Sequence, residues 1–311
     1  MKNIIVIVGA NGFLGRYLSD YYLAKGWEVR AIARREQGLA ACVNYYHWDA
    51  LNYQISWADA FDGATLVVNL AGRSVNCRYN QKNQDLIRDS RVQTTQLVGQ
   101  AIANCVNPPS YWLNSSTATI YRHAQDKPQD DETGQLGSGF SVSVAKDWEQ
   151  AFFTADTPEK THRVALRTAI VMGNEKGTVI DVLNRLCRLY LGGSMGSGQQ
   201  MVSWIHIEDF CRAIDWISQQ QHPDSRYNLS APNPLPNHEF MQLLRQNNHR
   251  KWGLKASKWM LELGAYVLRT ETELILKSRW VLPSRLLSQG FEFNYEYFAD
   301  ALKSFKPKVQ N

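Results

Sequence analysis

Ile4-Ile5-Val6-Ile7-Val8 runs directly into Gly9-Ala10-Asn11-Gly12-Phe13-Leu14-Gly15, and the reading of these twelve residues decides the fold. Five consecutive β-branched residues predict a strand buried on both faces, because a parallel-sheet strand covered by helices has no polar side to show. Apolar residues then recur at Leu14, Leu18, Tyr21 and Tyr22, the spacing that places one stripe on a 3.6-residue period. The unit is therefore strand, tight glycine turn, helix. A glycine turn at that junction lets the backbone approach a pyrophosphate, and the free amides and dipole of the helix N-terminus supply the positive end. A dinucleotide is the ligand this arrangement predicts.

The remaining composition is consistent with such a protein and excludes several alternatives. At 311 residues, 44% hydrophobic and 20% charged, the chain can build one large α/β domain with a smaller appendage. No apolar run approaches the roughly 20 residues that span a bilayer. The first strand carries one basic residue before it and no cleavage site, so it is not a secretory signal. No membrane association and a cytoplasmic location are expected. The five cysteines (Cys42, Cys77, Cys105, Cys187, Cys211) form no C-x-x-C pair. They are expected to be buried small hydrophobes, with neither disulfides nor a metal. The net charge of +5 comes without a basic stripe interleaved with aromatics, which argues against nucleic acid and suits a small anionic ligand.

The spacing G-x-x-G-x-x-G, with an aromatic after the second glycine in Gly12-Phe13-Leu14-Gly15, resembles the extended short-chain dehydrogenase/reductases and their epimerase and dehydratase relatives. The resemblance implies a doubly wound parallel sheet, Rossmann-like, with a smaller, mainly helical C-terminal cap. Gly9, Asn11, Gly12, Phe13 and Leu14 would hold the pyrophosphate. The second strand, Trp27 to Ala33, ends in Arg34-Arg35 where an acid would hold a ribose 2′-hydroxyl. A guanidinium there suits a 2′-phosphate, so the predicted cofactor is NADP(H), through one or both arginines. Relatives use an aspartate at the place of Asp49 on the adenine amino group. Asn69-Leu70-Ala71-Gly72 resembles an N-x-A-G segment, which puts Leu70, Ala71 and Gly72 against the cofactor and leaves Asn69 a structural tie.

Ser115-Ser116-Thr117 through Tyr121 resembles the S-S-x-x-x-x-Y segment, with Ser115 near the cofactor and Thr117 hydrogen-bonding a substrate oxygen. A Tyr-x-x-x-Lys helix should follow. Here it is Val142-Ser143-Val144-Ala145-Lys146, and a valine cannot move a proton. Lys146 is then a ribose ligand, or the partner of a displaced acid such as Tyr121 or Tyr79, or a solvated helix lysine. Arg167, in a segment similar to L-R-x-G-x-V-L, joins the cofactor set. The polar run Arg88, Asp89, Ser90 and Arg91 within a predicted helix over 81–103 reads equally as a solvated face or a site.

Gly192, Gly193, Gly196 and Gly198 mark a flexible loop before Trp204-Ile205-His206-Ile207-Glu208-Asp209. Loop and W-I-H-I-x-D run together resemble an epimerase-like subgroup with a helical C-terminal domain of unknown function, over essentially the whole chain. His206 reads as a packed or hydrogen-bonded anchor. Residues 1–173, with 200–231 returning, should form the cofactor core, and 174–199 with 232–311 the substrate-side cap. Within the cap, 237–247, 256–269 and 296–304 read as helices, with Ser278 to Leu287 another candidate and Trp252, Trp259 and Trp280 in the core. The function implied is that of an atypical oxidoreductase acting on a small polar substrate, as a monomer or homodimer. The alternative is a catalytically inactive NADP(H)-binding redox sensor.

Overall fold

Alternation along the first strand sets the layers. In the computed structural model, which describes residues 3–257, 259–262 and 271–305, Ile5 and Ile7 of β1 (Ile4–Val8) enter one core while Val6 and Val8 enter another. All four are fully buried, as a strand covered on both sides requires.

Around β1 lie β2 (Glu28–Ala33), β3 (Asn44–His47), β4 (Leu66–Asn69), β5 (Tyr111–Thr117), β6 (His162–Thr168) and β10 (Arg226–Leu229), in the order β10-β6-β5-β4-β1-β2-β3. Every pairing in this sheet is parallel. The chain reverses its direction of travel between β3 and β4, so the crevice between β1 and β4 is the topological switch point where ligands bind in such sheets. Helices α1 (Phe13–Ala24) and α6 (Ile207–Ile217) cover one face. Helices α2 (Ile55–Ala58), α3 (Gln81–Ala103) and α4 (Phe140–Phe153) cover the other.

The sixth strand stops at Thr168. Its continuation, β7 (Ile170–Met172), leaves the main sheet and pairs with β9 (Trp204–His206). Beyond it a third core gathers α5 (Val179–Arg188), α7 (Asn237–Asn247) and α10 (Phe298–Ser304) through Ile180, Cys187, Met241, Leu244 and Leu302. A two-residue pairing of β8 (Met201–Val202) with β11 (Leu235–Pro236) closes this unit. Part of the C-terminal stretch does not stay with it: Leu286, Phe291 and Phe293 pack into the α1 and α6 core.

Other expectations need correction. Only Ser284–Ser288 (α9) of the 278–287 stretch is helical, after a short turn α8 (Glu273–Leu276). Of the helix expected over 256–269, residues 259–262 are helical, and 258 and 263–269 lie outside the described residues. Trp252 and Trp259 are 61% and 66% exposed, and Trp252 lies against Tyr190 on the surface at 4.7 Å rather than in a core. Cys42 is exposed, Cys77 and Cys105 are half-buried, and only Cys187 and Cys211 are interior. The 192–200 loop is pinned, with Gln200 donating to the Met195 carbonyl at 2.8 Å and Asn237 accepting from the Met195 amide at 2.8 Å. A Cβ on Gly193 would sit 2.3 Å from the Leu254 carbonyl, so close packing explains that glycine. Among the described residues no helix is long and apolar enough to cross a membrane.

Candidate functional site

The register brings three strand ends level, because Val8 pairs with Ile32 on one side and Asn69 on the other. The chain leaving β1 therefore turns between Arg34 and Leu70. Gly9 makes the turn at φ +81°, and a Cβ there would meet the Ala71 amide at 3.0 Å. Its own amide donates to the Ile32 carbonyl at 2.8 Å. Helix α1 begins at Gly12 with no side-chain cap, so its first-turn amides, those of Phe13, Leu14 and Gly15, point out of the helix without an intrahelical acceptor. Gly15 lets the helix start this close, since a Cβ would lie 2.6 Å from the Ala10 backbone. An uncapped N-terminus over a glycine cradle fits a pyrophosphate.

The other members of the predicted cofactor set surround this cradle unevenly. Asn11 donates to the Arg35 carbonyl at 3.2 Å, tying the turn to the end of β2. Arg34 and Arg35 are exposed and make no ion pair among the described residues. The Phe13 ring packs inward, since a Cβ on Gly173 would come within 2.6 Å of it, which leaves the Phe13 amide as its polar offering. Asp49 already accepts from the Asn52 side-chain amide at 2.8 Å and from the Asn52 and Leu51 backbone amides at 2.9 and 2.8 Å, and those bonds hold its carboxyl below the usual value. Leu70, Ala71 and Gly72 follow β4 at the crevice. Asn69 bonds Asn114 at 2.7 Å and accepts from the Ala71 amide at 3.1 Å.

Arg167 and Tyr121 do something other than the resemblance implies. The Arg167 guanidinium grips Glu149 through two bonds of 2.8 Å, with both side chains 8% exposed. Ser116 donates to the same carboxylate at 2.7 Å. Arg167 also reaches the Tyr121 hydroxyl at 3.0 Å, which donates in turn to Asn228 at 2.9 Å. Burial raises the Tyr121 pKa despite the neighbouring guanidinium. Both residues belong to an interior network joining β5, α4, β6 and β10, in which Tyr121 is buried and Arg167 is paired with Glu149.

The motif helix is equally particular. Val142 is buried at 1%, whereas Lys146 is exposed with its amine on the Gly137 carbonyl at 3.2 Å. That is the solvated-lysine placement. Thr117 caps the short turn after β5, accepting from the Thr119 amide at 3.1 Å, and Ser115 is half-buried beside it. Tyr79 packs edge-on against Phe140 at 5.0 Å, and burial raises its pKa.

Three groups went unassigned in sequence. Arg91 lies half-buried against Gly72, its guanidinium carbon 3.4 Å from where a Gly72 Cβ would stand. The polar run within α3 was the only signal for it. Lys277 donates to the Thr119 carbonyl at 2.7 Å. Burial, together with Arg279, pushes its pKa down to about 8. Ser141 of α4 donates to Glu273 at 2.9 Å. Glu273 and Lys277 line a cavity of about 630 Å³ with His123, Gly137, Ser138 and Leu276, where the C-terminal segment meets the loops after β5. No sequence pattern pointed to it.

His206 is an anchor. Its Nδ1 caps α6 by accepting from the Glu208 amide at 3.1 Å, its Nε2 meets Ser304 at 3.0 Å, and its ring stacks on Tyr295 at 3.8 Å. Burial pushes its pKa down to about 4.

Comparison with known proteins agrees with this architecture. The profile of the NAD dependent epimerase/dehydratase family matches residues 5–230, and a domain of unknown function, DUF1731, matches residues 256–305. The chain is 29% identical to the chloroplastic SDR39U1 homolog of Arabidopsis thaliana, an epimerase family protein, over 96% of this chain and 86% of that one. It is 25% identical to the epimerase family protein YfhF of Bacillus subtilis, over 96% of each. A crystal structure of the human epimerase family protein SDR39U1 with NADPH superposes at a TM-score of 0.84 and 26% identity, covering 97% of this chain and 98% of that one. The Rossmann-like sheet, the glycine cradle at its switch point and the C-terminal helical segment thus have one common explanation: this chain belongs to the NAD-dependent epimerase/dehydratase family.

Proposed function

We propose that this chain binds NADP(H) across the carboxyl edge of β1 and β4 and works as an atypical short-chain oxidoreductase on a small polar substrate. The observation that carries the reading is the Gly9 cradle, where a side chain would strike Ala71 and the uncapped start of α1 faces the crevice. In this reading the amides of Phe13 and Leu14 hold the pyrophosphate, and Arg34 or Arg35 meets a 2′-phosphate. Gly72 passes beside the nicotinamide half, and the Thr117 hydroxyl orients the substrate oxygen. Bound there, the nicotinamide ring would supply or accept a hydride. The human relative solved with NADPH supports the choice of NADP(H) over NAD(H).

A second reading, a redox sensor that binds NADP(H) without turnover, is favoured by the buried Val142 at the motif tyrosine and by the outward Lys146. Calorimetry tests the cofactor. Losing one arginine-to-phosphate contact, worth about 1.5–3 kcal/mol, should weaken NADPH binding roughly ten- to hundredfold in Arg34→Ala or Arg35→Ala and leave NADH unchanged. If neither variant alters the preference, the assignment fails. Turnover is then followed at the nicotinamide absorbance band, with mass spectrometry of a metabolite extract. Turnover that disappears in Thr117→Val while NADPH still binds identifies an enzyme. Tight binding without turnover identifies a sensor.

A further inference from the structure

Arg91 is a cation placed where the sheet presents its ligand, yet it has no carboxylate partner among the described residues. Its guanidinium is bounded by the Gly72 backbone at the end of β4 and by the Trp148 ring of α4, whose centroid lies 5.2 Å away. Nη1 donates to the Ile87 carbonyl at 2.9 Å. Nε and Nη2 have no acceptor among the described residues, and Nη2 stands 3.6 Å from the place of a Gly72 Cβ, just behind the guanidinium carbon at 3.4 Å. That edge is the one Arg167 uses to grip Glu149, the fork that matches an oxyanion bidentately. Neighbouring carboxylates are engaged elsewhere: Asp85 accepts from Gln81 at 2.8 Å, and Arg88 lies 3.6 Å from Asp89 and holds Asp147 of α4 at 2.6 Å.

The sheet order says which ligand this edge can reach. Arg34 and Arg35 follow β2, the uncapped α1 follows β1, and Arg91 lies beyond β4 toward α4. A dinucleotide with its pyrophosphate at α1 and its 2′-phosphate near β2 extends its nicotinamide half over β4, so Arg91 sits at the substrate end. We propose that Arg91 is the anion receptor of that end, binding a carboxylate or phosphate group of the molecule that lies beside the nicotinamide. The substrate, or the ligand read by a sensor, is thus a small acid. The inference rests on the NADP(H) reading. Burial without a counter-charge pushes the Arg91 pKa down to about 10, and a bound anion relieves that cost.

The test uses the full chain saturated with NADPH, titrated with inorganic phosphate and, separately, acetate as probe anions while nicotinamide fluorescence is followed. The parent should bind at least one probe. Arg91→Gln should weaken that binding roughly ten- to hundredfold, and Arg91→Lys should retain part of it. NADPH affinity should change less than about threefold in both variants, with thermal melting as the folding control. A probe affinity unchanged in Arg91→Gln overturns the proposal, as does a parent that binds neither probe. A tenfold loss of NADPH affinity in Arg91→Gln overturns it too, because the arginine then serves the cofactor's own phosphates. A parent that fails to bind NADPH refutes the cofactor reading and this inference with it, a result distinct from the others.

Discussion

Glu149→Gln gives the sharpest separation between a residue that builds the site and one that touches the ligand. In the parent the carboxylate accepts two 2.8 Å bonds from Arg167 and one of 2.7 Å from Ser116, with Arg226 at 3.5 Å. The amide keeps the shape, but its NH2 must face a guanidinium N–H, and the Arg167 charge is left buried without a counter-charge. Breaking a buried pair from one side costs about 3–5 kcal/mol, and the retained shape argues for the lower end. At roughly 2 °C per kcal/mol for a chain of this size, the melting temperature should fall by about 6 °C. Thermal and urea unfolding, each followed by tryptophan fluorescence, check this, and calorimetry with NADPH should give an affinity within a few-fold of the parent.

The pH dependence has a definite sign. Burial pushes the Glu149 pKa up, but the Arg167 bonds outweigh it and hold the folded value below the ordinary 4.5. Its contribution is therefore complete above pH 4.5 and fades as pH falls through the depressed folded value. The variant should lose that acid sensitivity. Replacing both partners with apolar residues, Glu149→Leu with Arg167→Met, should recover much of the loss, because no charge remains buried. A Glu149→Gln protein with the parent's urea midpoint would refute the argument. So would an Arg167→Met protein that keeps its stability and loses NADPH, because Arg167 would then be a ligand contact.

Gly9→Ala should abolish NADPH binding in calorimetry, because the methyl group needs the space of the Ala71 backbone at 3.0 Å and φ is +81°. It should also cost about 1–2 kcal/mol in urea unfolding, and an alanine variant with parental affinity removes the cradle from the site. His206→Asn keeps a side chain able to cap α6 and removes a titrating group. In the parent, burial lowers the histidine from 6.5 to about 4, so its stabilisation is complete above pH 6.5 and declines toward pH 4, by roughly 3 kcal/mol. The variant's stability should be nearly flat from pH 6.5 down to 4.5, where Glu149 begins to titrate, and a parent already flat there contradicts a neutral buried imidazole.

The parts of this protein that were legible in sequence are those governed by neighbours along the chain. Ile4–Val8 had to be a doubly covered strand, Gly9 to Gly15 a turn into a helix, and 81–103 one long helix, because periodicity and glycine sterics act over a few residues. The family resemblance rested on these same short stretches. What tertiary structure decided was which of several chemically equal side chains found a partner inside. Arg167 and Glu149 lie 18 positions apart, and Tyr121 and Asn228 lie 107 apart, so no local spacing could mark them as an interior network. Lys146 held the register of a site lysine but points outward, whereas Arg91, in a run that read equally as solvent face, lies against Gly72 at the crevice. Burial of a charge depends on the strands and helices packed around it, and that arrangement exists only once the sheet has closed over its two cores.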